Sequence, residues 1–226
     1  MEETSKSMVI AGYDIQPLTL YLPDTQKWRD RYETGMQHFE EQGIKNIIPI
    51  HGIYGEGFGI AGTHLYEYDN PGGGHQIGVA NTALCLSMYI VYNVMNNLPN
   101  SHFMFLEDDS RFTYGWMKVL TEALEDIPKD FDFLFIGSCC AGDKKSVQVG
   151  RRLYHFPHIR GVYNNYPLCG NAYIVAKKAI PTILRTQRDA YVNADINLAV
   201  NTFPLLKVYA ILPRPVEQFN NEHLNP

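Results

Sequence analysis

A surplus of positive charge, a regular cysteine spacing and an apolar run long enough to cross a bilayer are all missing from this chain. Each absence excludes something. Its 226 residues carry 19 Lys plus Arg against 24 Asp plus Glu, a formal charge of -5 with histidines neutral. Phosphate neutralisation supplies most of a nucleic-acid binder's affinity, so long duplex DNA is a poor partner for this balance. A short basic group, Lys144, Lys145, Arg151 and Arg152, reads either as a local patch or as a solvated face. The cysteines, Cys85, Cys139, Cys140 and Cys169, include no C-x-x-C pair. That argues against a disulfide framework or a zinc site and for a reducing compartment. The longest apolar stretch, 84–98, is interrupted by Ser87, Asn93, Asn96 and Asn97 and falls short of the roughly 20 residues a membrane helix needs. The opening Met-Glu-Glu-Thr-Ser-Lys has acids where a signal peptide needs cations, and no N-x-S/T acceptor occurs. A cytoplasmic protein with no transmembrane segment is the expectation.

What is present is the balance of a packed globule, 45% hydrophobic and 19% charged. A chain this long buries about 70% of its extended surface and needs no staple to hold it. Residues 17–22 form an apolar run, closed by Pro23-Asp24-Thr25, which ends a strand and offers a helix N-cap. Trp28, Tyr32, Met36 and Phe39 then recur at helical spacing, with Gly43 as the closing residue. With the β-branched run 44–50 this makes a β-α-β unit, which predicts parallel pairing. Helices are predicted over 76–98, 114–127, 177–187 and 195–202, and strands over 102–106, 131–136, 171–176 and 206–212, with irregular structure and short strands over 137–170. Pro181 fits the fourth helix only in its first turn. The predicted fold is a single α/β domain with a mostly parallel central sheet flanked by helices. Between His51 and His75 lie eight glycines with neither a Walker ending nor a dinucleotide fingerprint; the segment reads as a loop that orders over substrate or as a plain excursion.

The sharpest chemical feature is FMFLEDD, in which Glu107, Asp108 and Asp109 end a hydrophobic strand. Ligands of open α/β sheets collect at that edge. Adjacent carboxylates repel unless a cation sits among them, and hard ions such as Mg²⁺ and Mn²⁺ take such oxygens together with water and substrate phosphates. The alternative is an acidic loop capping the next helix. Tyr163, Tyr166 and Tyr173 cluster with Asn164, Asn165 and Asn171, a set suited to stacking on a sugar or base, or simply to half-buried strands.

The stretch HFMFLEDDSRFTYGWMKVLTEALEDIPKDFDFLFIGS, with LCGNAYIVAKKAIPTIL and LKVYAILPRPVEQ downstream, resembles glycosyltransferase family 25, the lipopolysaccharide-biosynthesis and collagen-type galactosyltransferase group. The chain departs from that pattern after Gly78, where Val79-Ala80-Asn81-Thr82-Ala83 replaces a Ser-His pair, so the substrate does not carry over. The resemblance implies a GT-A (Rossmann-like) domain, residues 17–136 binding a nucleotide-sugar and 137–226 an acceptor. It implies an inverting, metal-dependent transfer from a UDP-sugar to a hydroxyl on a glycan, protein or nucleic acid. Asp108 and Asp109 would hold Mn²⁺ or Mg²⁺, with His223 completing the shell or standing as a surface histidine. Glu107, Asp108 and Asn171 would contact the donor. Asp195 would be the general base, or a helix cap worth about 1 kcal/mol. A nucleotidyltransferase and a non-catalytic sugar- or nucleotide-binding module are the rival readings.

Overall fold

The computed structural model describes residues 7–53, 79–139, 145–159, 165–188 and 193–219, the side chains of 79–81 and 139 excepted. The glycine-rich segment 54–78 and His223 lie outside the described residues. The chain opens with a hairpin, β1 (Met8–Ile10) and β2 (Tyr13–Tyr21), joined by Ala11 and Gly12 at φ 50° and 81°. Two positive φ values give the turn the twist that antiparallel strands need. Helix α1 (Gln26–Glu41) follows, with Trp28 N–H donating to the Thr25 hydroxyl at its start. Gly43 at φ 79° closes it, as its position predicts. Then come β3 (Ile48–His51), α2 (Val79–Asn97), β4 (His102–Leu106), β5 (Ser110–Phe112), α3 (Trp116–Asp126) and β6 (Phe133–Cys139). The second half holds β7 (Val147–Gln148), β8 (Leu153–His155), β9 (Leu168–Ala176), α4 (Ile180–Thr186), α5 (Ala194–Asn197), β10 (Val208–Ile211) and β11 (Val216–Gln218).

The α/β domain is as expected. Among the described residues nine strands form one sheet in the order β1-β2-β4-β9-β6-β10-β8-β7, with β3 also paired to β2, while β11 and β5 form a separate ribbon. The directions are mixed. β2 runs parallel to β3 and β4, as the β-α-β pattern requires, and β10 parallel to β6. β9 is inserted antiparallel between β4 and β6. Two apolar layers cover the faces. Phe39 of α1 and Trp116, Leu120 and Leu124 of α3 pack on Met104 and Leu106. Val91, Tyr92 and Met95 of α2 and Ile180 and Ile183 of α4 pack on Phe103, Phe105 and Tyr173.

Several local expectations shift in register. The predicted helix 177–187 is a 3-10 turn, Lys177–Ala179, leading into α4, with Pro181 in the first turn as its missing N–H demands. The predicted helix 195–202 is α5 followed by a π segment, Leu198–Thr202. The expectation of reduced cysteines is corrected at Cys169, which is disulfide-bonded, whereas Cys85 is a buried cysteine outside any disulfide.

Candidate active site

β4 ends where the acids begin, and the turn that follows divides them. The side chains of Phe103 and Phe105 face the α2 layer and those of Met104 and Leu106 the α1 layer, while Asp108 and Asp109 are both met by Arg31 of α1. The turn is pinned from β9: Glu107 N–H donates to the Asn171 carbonyl at 2.8 Å and the Ser110 hydroxyl donates to the same oxygen at 2.8 Å.

On the α1 side the pair Asp108 and Asp109 is met by Arg31. Its Nε donates to Asp108 Oδ1 at 2.7 Å, and its Nη2 lies 2.7 Å from Asp108 Oδ1 and 2.9 Å from Asp109 Oδ2. The Trp28 ring supports the guanidinium at 5.2 Å. One turn along, Gly35 lies against the acidic turn so closely that a Cβ there would stand 2.4 Å from the Asp108 carbonyl oxygen. His38, another turn on, accepts from Phe112 N–H at 3.1 Å. Arg31, Gly35 and His38 thus form one stripe of α1, spaced four and three, beside the apolar stripe that buries Phe39. Sequence reading missed this stripe. Its signal was present as a polar and glycine row at helical spacing, but nothing in the chain said which row would face β4.

Asp109 is the most buried of the three, 6% exposed. Its Oδ2 also accepts from Gln218 Nε2 at 3.1 Å and its carbonyl from Phe219 N–H at 2.9 Å, so β11 closes the turn from outside. Its Oδ1 is buried with no hydrogen-bond partner among the described residues. Arg111 reaches the Asp108 and Ser110 carbonyls at 3.2 and 2.9 Å and lies 5.3 Å from the Phe219 ring. Burial raises the Asp108 carboxyl above its ordinary range, opposed by Arg31.

On the other side Glu107 has no such partner among the described residues. Burial first, then Asp109 and Asp108, push its carboxyl up to about 8, with Asp195 adding to the effect. Asp195 sits in the first turn of α5; its Oδ2 accepts from Cys169 N–H at 3.3 Å and its Oδ1 from Ile196 N–H at 2.8 Å. Cys169 is held at φ 54°, a conformation a non-glycine residue adopts only under constraint. Beneath Glu107, Tyr173 donates to the Tyr92 hydroxyl at 3.0 Å in the buried layer.

The predicted residues are therefore not all alike in place. Glu107, Asp108, Asp109 and Asp195 converge at the β4 edge. Asn171 reaches that edge through its carbonyl, while its side-chain amide nitrogen, in the orientation that satisfies it, faces the Gly137 and Cys169 carbonyls at 3.1 and 3.2 Å. Of the tyrosine and amide set, Tyr163 and Asn164 lie outside the described residues; Tyr166, Tyr173, Asn165 and Asn171 are buried rather than exposed for stacking, and Asn165 holds Lys145 and Pro157 backbone. Arg151 and Arg152 are paired with Glu125, Asp126 and Glu122 of α3 rather than offered to a ligand.

The donor set is all oxygen, and one buried oxygen lacks a partner, which fits a hard divalent ion that takes two protein carboxylates and leaves its other positions to water and phosphate. No group of three His, Cys, Asp or Glu among the described residues is placed to hold a metal by itself. No described helix is long and apolar enough to cross a membrane.

No known family model matches the chain, and no curated protein matches it by sequence. Solved structures do resemble it in shape. One is a glycosyltransferase involved in the glycosylation of the major capsid of PBCV-1, 12% identical over 88% of this chain and 81% of that one, with a TM-score of 0.48. Another is the inositol-1-phosphate CTP transferase from T. maritima, 12% identical over 92% and 90%, with a TM-score of 0.45. Overlaps and identities this low say nothing of chemistry, which rests on the side chains at the end of β4.

Proposed function

We propose that the chain is a glycosyltransferase of GT-A type that moves a sugar from a nucleotide-diphosphate donor to a hydroxyl acceptor. The observation that supports it is the carboxylate pair at the carboxyl end of β4, with Asp109 Oδ1 buried and unpartnered among the described residues and two arginines alongside. A pair of acids is costly to hold together in a half-buried turn unless something positive is meant to bind there. Asp108 and Asp109 would hold Mg²⁺ or Mn²⁺, with His223 as a further ligand to the ion. When bound, that ion supplies Lewis-acid neutralisation of a departing diphosphate.

The chain's own groups do the rest. Arg31 and Arg111 place two positive charges beside the turn, where a diphosphate would need them. Gly35 lets α1 approach the backbone of Asp108, which sets the reach of Arg31. Glu107 keeps its proton near neutrality, so it is suited to donate a hydrogen bond to a sugar or ribose oxygen rather than to bind an ion. Asp195 is the base that accepts the acceptor's proton in an inverting transfer, oriented by the Cys169 N–H. Residues 17–136 carry the donor side and 137–226 the acceptor side.

The test is release of UDP from a panel of UDP-sugars with Mn²⁺, comparing wild type with Asp109→Ala. A loss of about 100-fold or more is expected, the scale of removing a group that stabilises developing charge. Equal turnover in the two proteins overturns the assignment.

A further inference from the structure

Arg31 occupies the place where a cation is expected. It lies within 2.9 Å of both aspartates, and with Gln218 it serves Asp108 Oδ1 and Asp109 Oδ2 only, leaving Asp109 Oδ1 with no partner among the described residues. A guanidinium matches one carboxylate in a forked, planar way and does not converge on several oxygens as a small ion does. The pair is therefore neutralised but incompletely satisfied. The two kinds of partner are also unequally seated: the Arg31 side chain is 25% exposed, against 16% and 8% for Asp108 and Asp109. The arginine stands at the mouth and the acids behind it. The Trp28 face, 5.2 Å from the guanidinium, already supports it without a carboxylate.

We propose that Arg31 is an exchangeable counter-ion, which holds Asp108 and Asp109 while no divalent ion is bound and yields them when one binds. The inference rests on the metal-diphosphate reading above and adds a residue to it. Ion and arginine need the same oxygens, so apparent ion affinity is reduced by the fraction of molecules in which Arg31 holds them. The acids stay neutralised in the ion-free protein, and the released guanidinium is left beside the position of an incoming diphosphate. Arg31 is on this account a positioning residue that acts through the aspartates.

The experiment is titration of the full chain with Mn²⁺ alone, followed by calorimetry and by loss of the free-ion paramagnetic resonance signal. Arg31→Gln is expected to bind Mn²⁺ about tenfold or more tightly than wild type. It should also melt lower without the ion and gain more on its addition. Arg31→Lys, which keeps the charge without the fork, should fall between. Arg151→Gln removes an equal charge that is paired with Glu125 and Asp126 on α3 and should leave Mn²⁺ affinity as it was. A purely structural ion pair would lower the melting point of Arg31→Gln without tightening the ion. Equal or weaker Mn²⁺ binding in Arg31→Gln, or an equal gain in Arg151→Gln, overturns the exchange and leaves the transferase reading standing. Absence of Mn²⁺ binding in every variant overturns both.

Discussion

The two sides of the β4 end solve one electrostatic problem in opposite ways. Toward α1, Asp108 and Asp109 are paired with a guanidinium at 2.7 and 2.9 Å. Toward α5, Glu107 is buried and meets like charge from Asp109, Asp108 and Asp195, and it answers by keeping its proton, its carboxyl pushed up to about 8. Three acids adjacent in sequence are thus two environments, one compensated by a cation and one by neutralisation. The difference teaches that an acidic run at a strand end is not one ligand set, because the turn after β4 sets Asp108 and Asp109 together before Arg31 and leaves Glu107 among like charges.

The comparison can be broken hardest at Gly35. A Cβ 2.4 Å from the Asp108 carbonyl must push backbone against backbone. Gly35→Ala is therefore expected to destabilise by about 1–3 kcal/mol through overpacking, against which the better helix propensity of alanine offsets up to about 1 kcal/mol. Urea unfolding measures the net loss; a gain in stability would mean that α1 does not press on the turn. On the opposite side, Glu107→Gln separates protonation from shape. The native carboxyl keeps its proton up to about 8 while the unfolded chain loses it near 4.5. The stability it contributes is whole below pH 4.5 and is lost as pH climbs through 8. Ion-free wild type should fall relative to Glu107→Gln across that window by on the order of 2 kcal/mol, and parallel stability curves would remove the like-charge account.

Smaller effects sharpen the picture. Tyr92→Phe takes the acceptor from the buried Tyr173 hydroxyl and should cost about 1–2 kcal/mol, with the double variant, Tyr173→Phe added, costing less than the sum of the singles. Strict additivity would mean that the two hydroxyls are satisfied separately. Smallest is Thr25→Ala at the start of α1, where the cap bond is long at 3.4 Å. A loss of about 0.5–1 kcal/mol is expected, with Mn²⁺ binding unchanged, since the Thr25 hydroxyl meets the Trp28 backbone and not the ring that supports Arg31.

Much of the fold was legible because its elements announce themselves locally. β4 stands at 102–106 as its aromatic run predicts, α3 and β10 fall within their predicted spans, and Thr25 caps α1. The hairpin was not legible, since its turn puts an alanine at φ 50° where sequence reading looks for Asn or Asp. The ribbon of β5 and β11 was not either: two three-residue strands 104 positions apart have no periodicity to read, and their pairing, Val216 with Phe112, exists only in space. At the site, the acids were named from the chain, but Arg31, Gly35 and Gln218 were not. Each joins through a contact more than 70 residues long, as Arg31 to Asp108 shows with a separation of 77.

By itself the chain determined that there would be one α/β domain with carboxylates at the end of a buried strand, since local patterns of apolar spacing and turn residues suffice for that. Tertiary structure alone decided which acid faces which helix, that β9 enters antiparallel between β4 and β6 to tie Glu107 to Asn171, and that a guanidinium stands before the aspartates. The reason is that charge energies depend on distances across the fold, and those are set by packing rather than by neighbourhood along the chain.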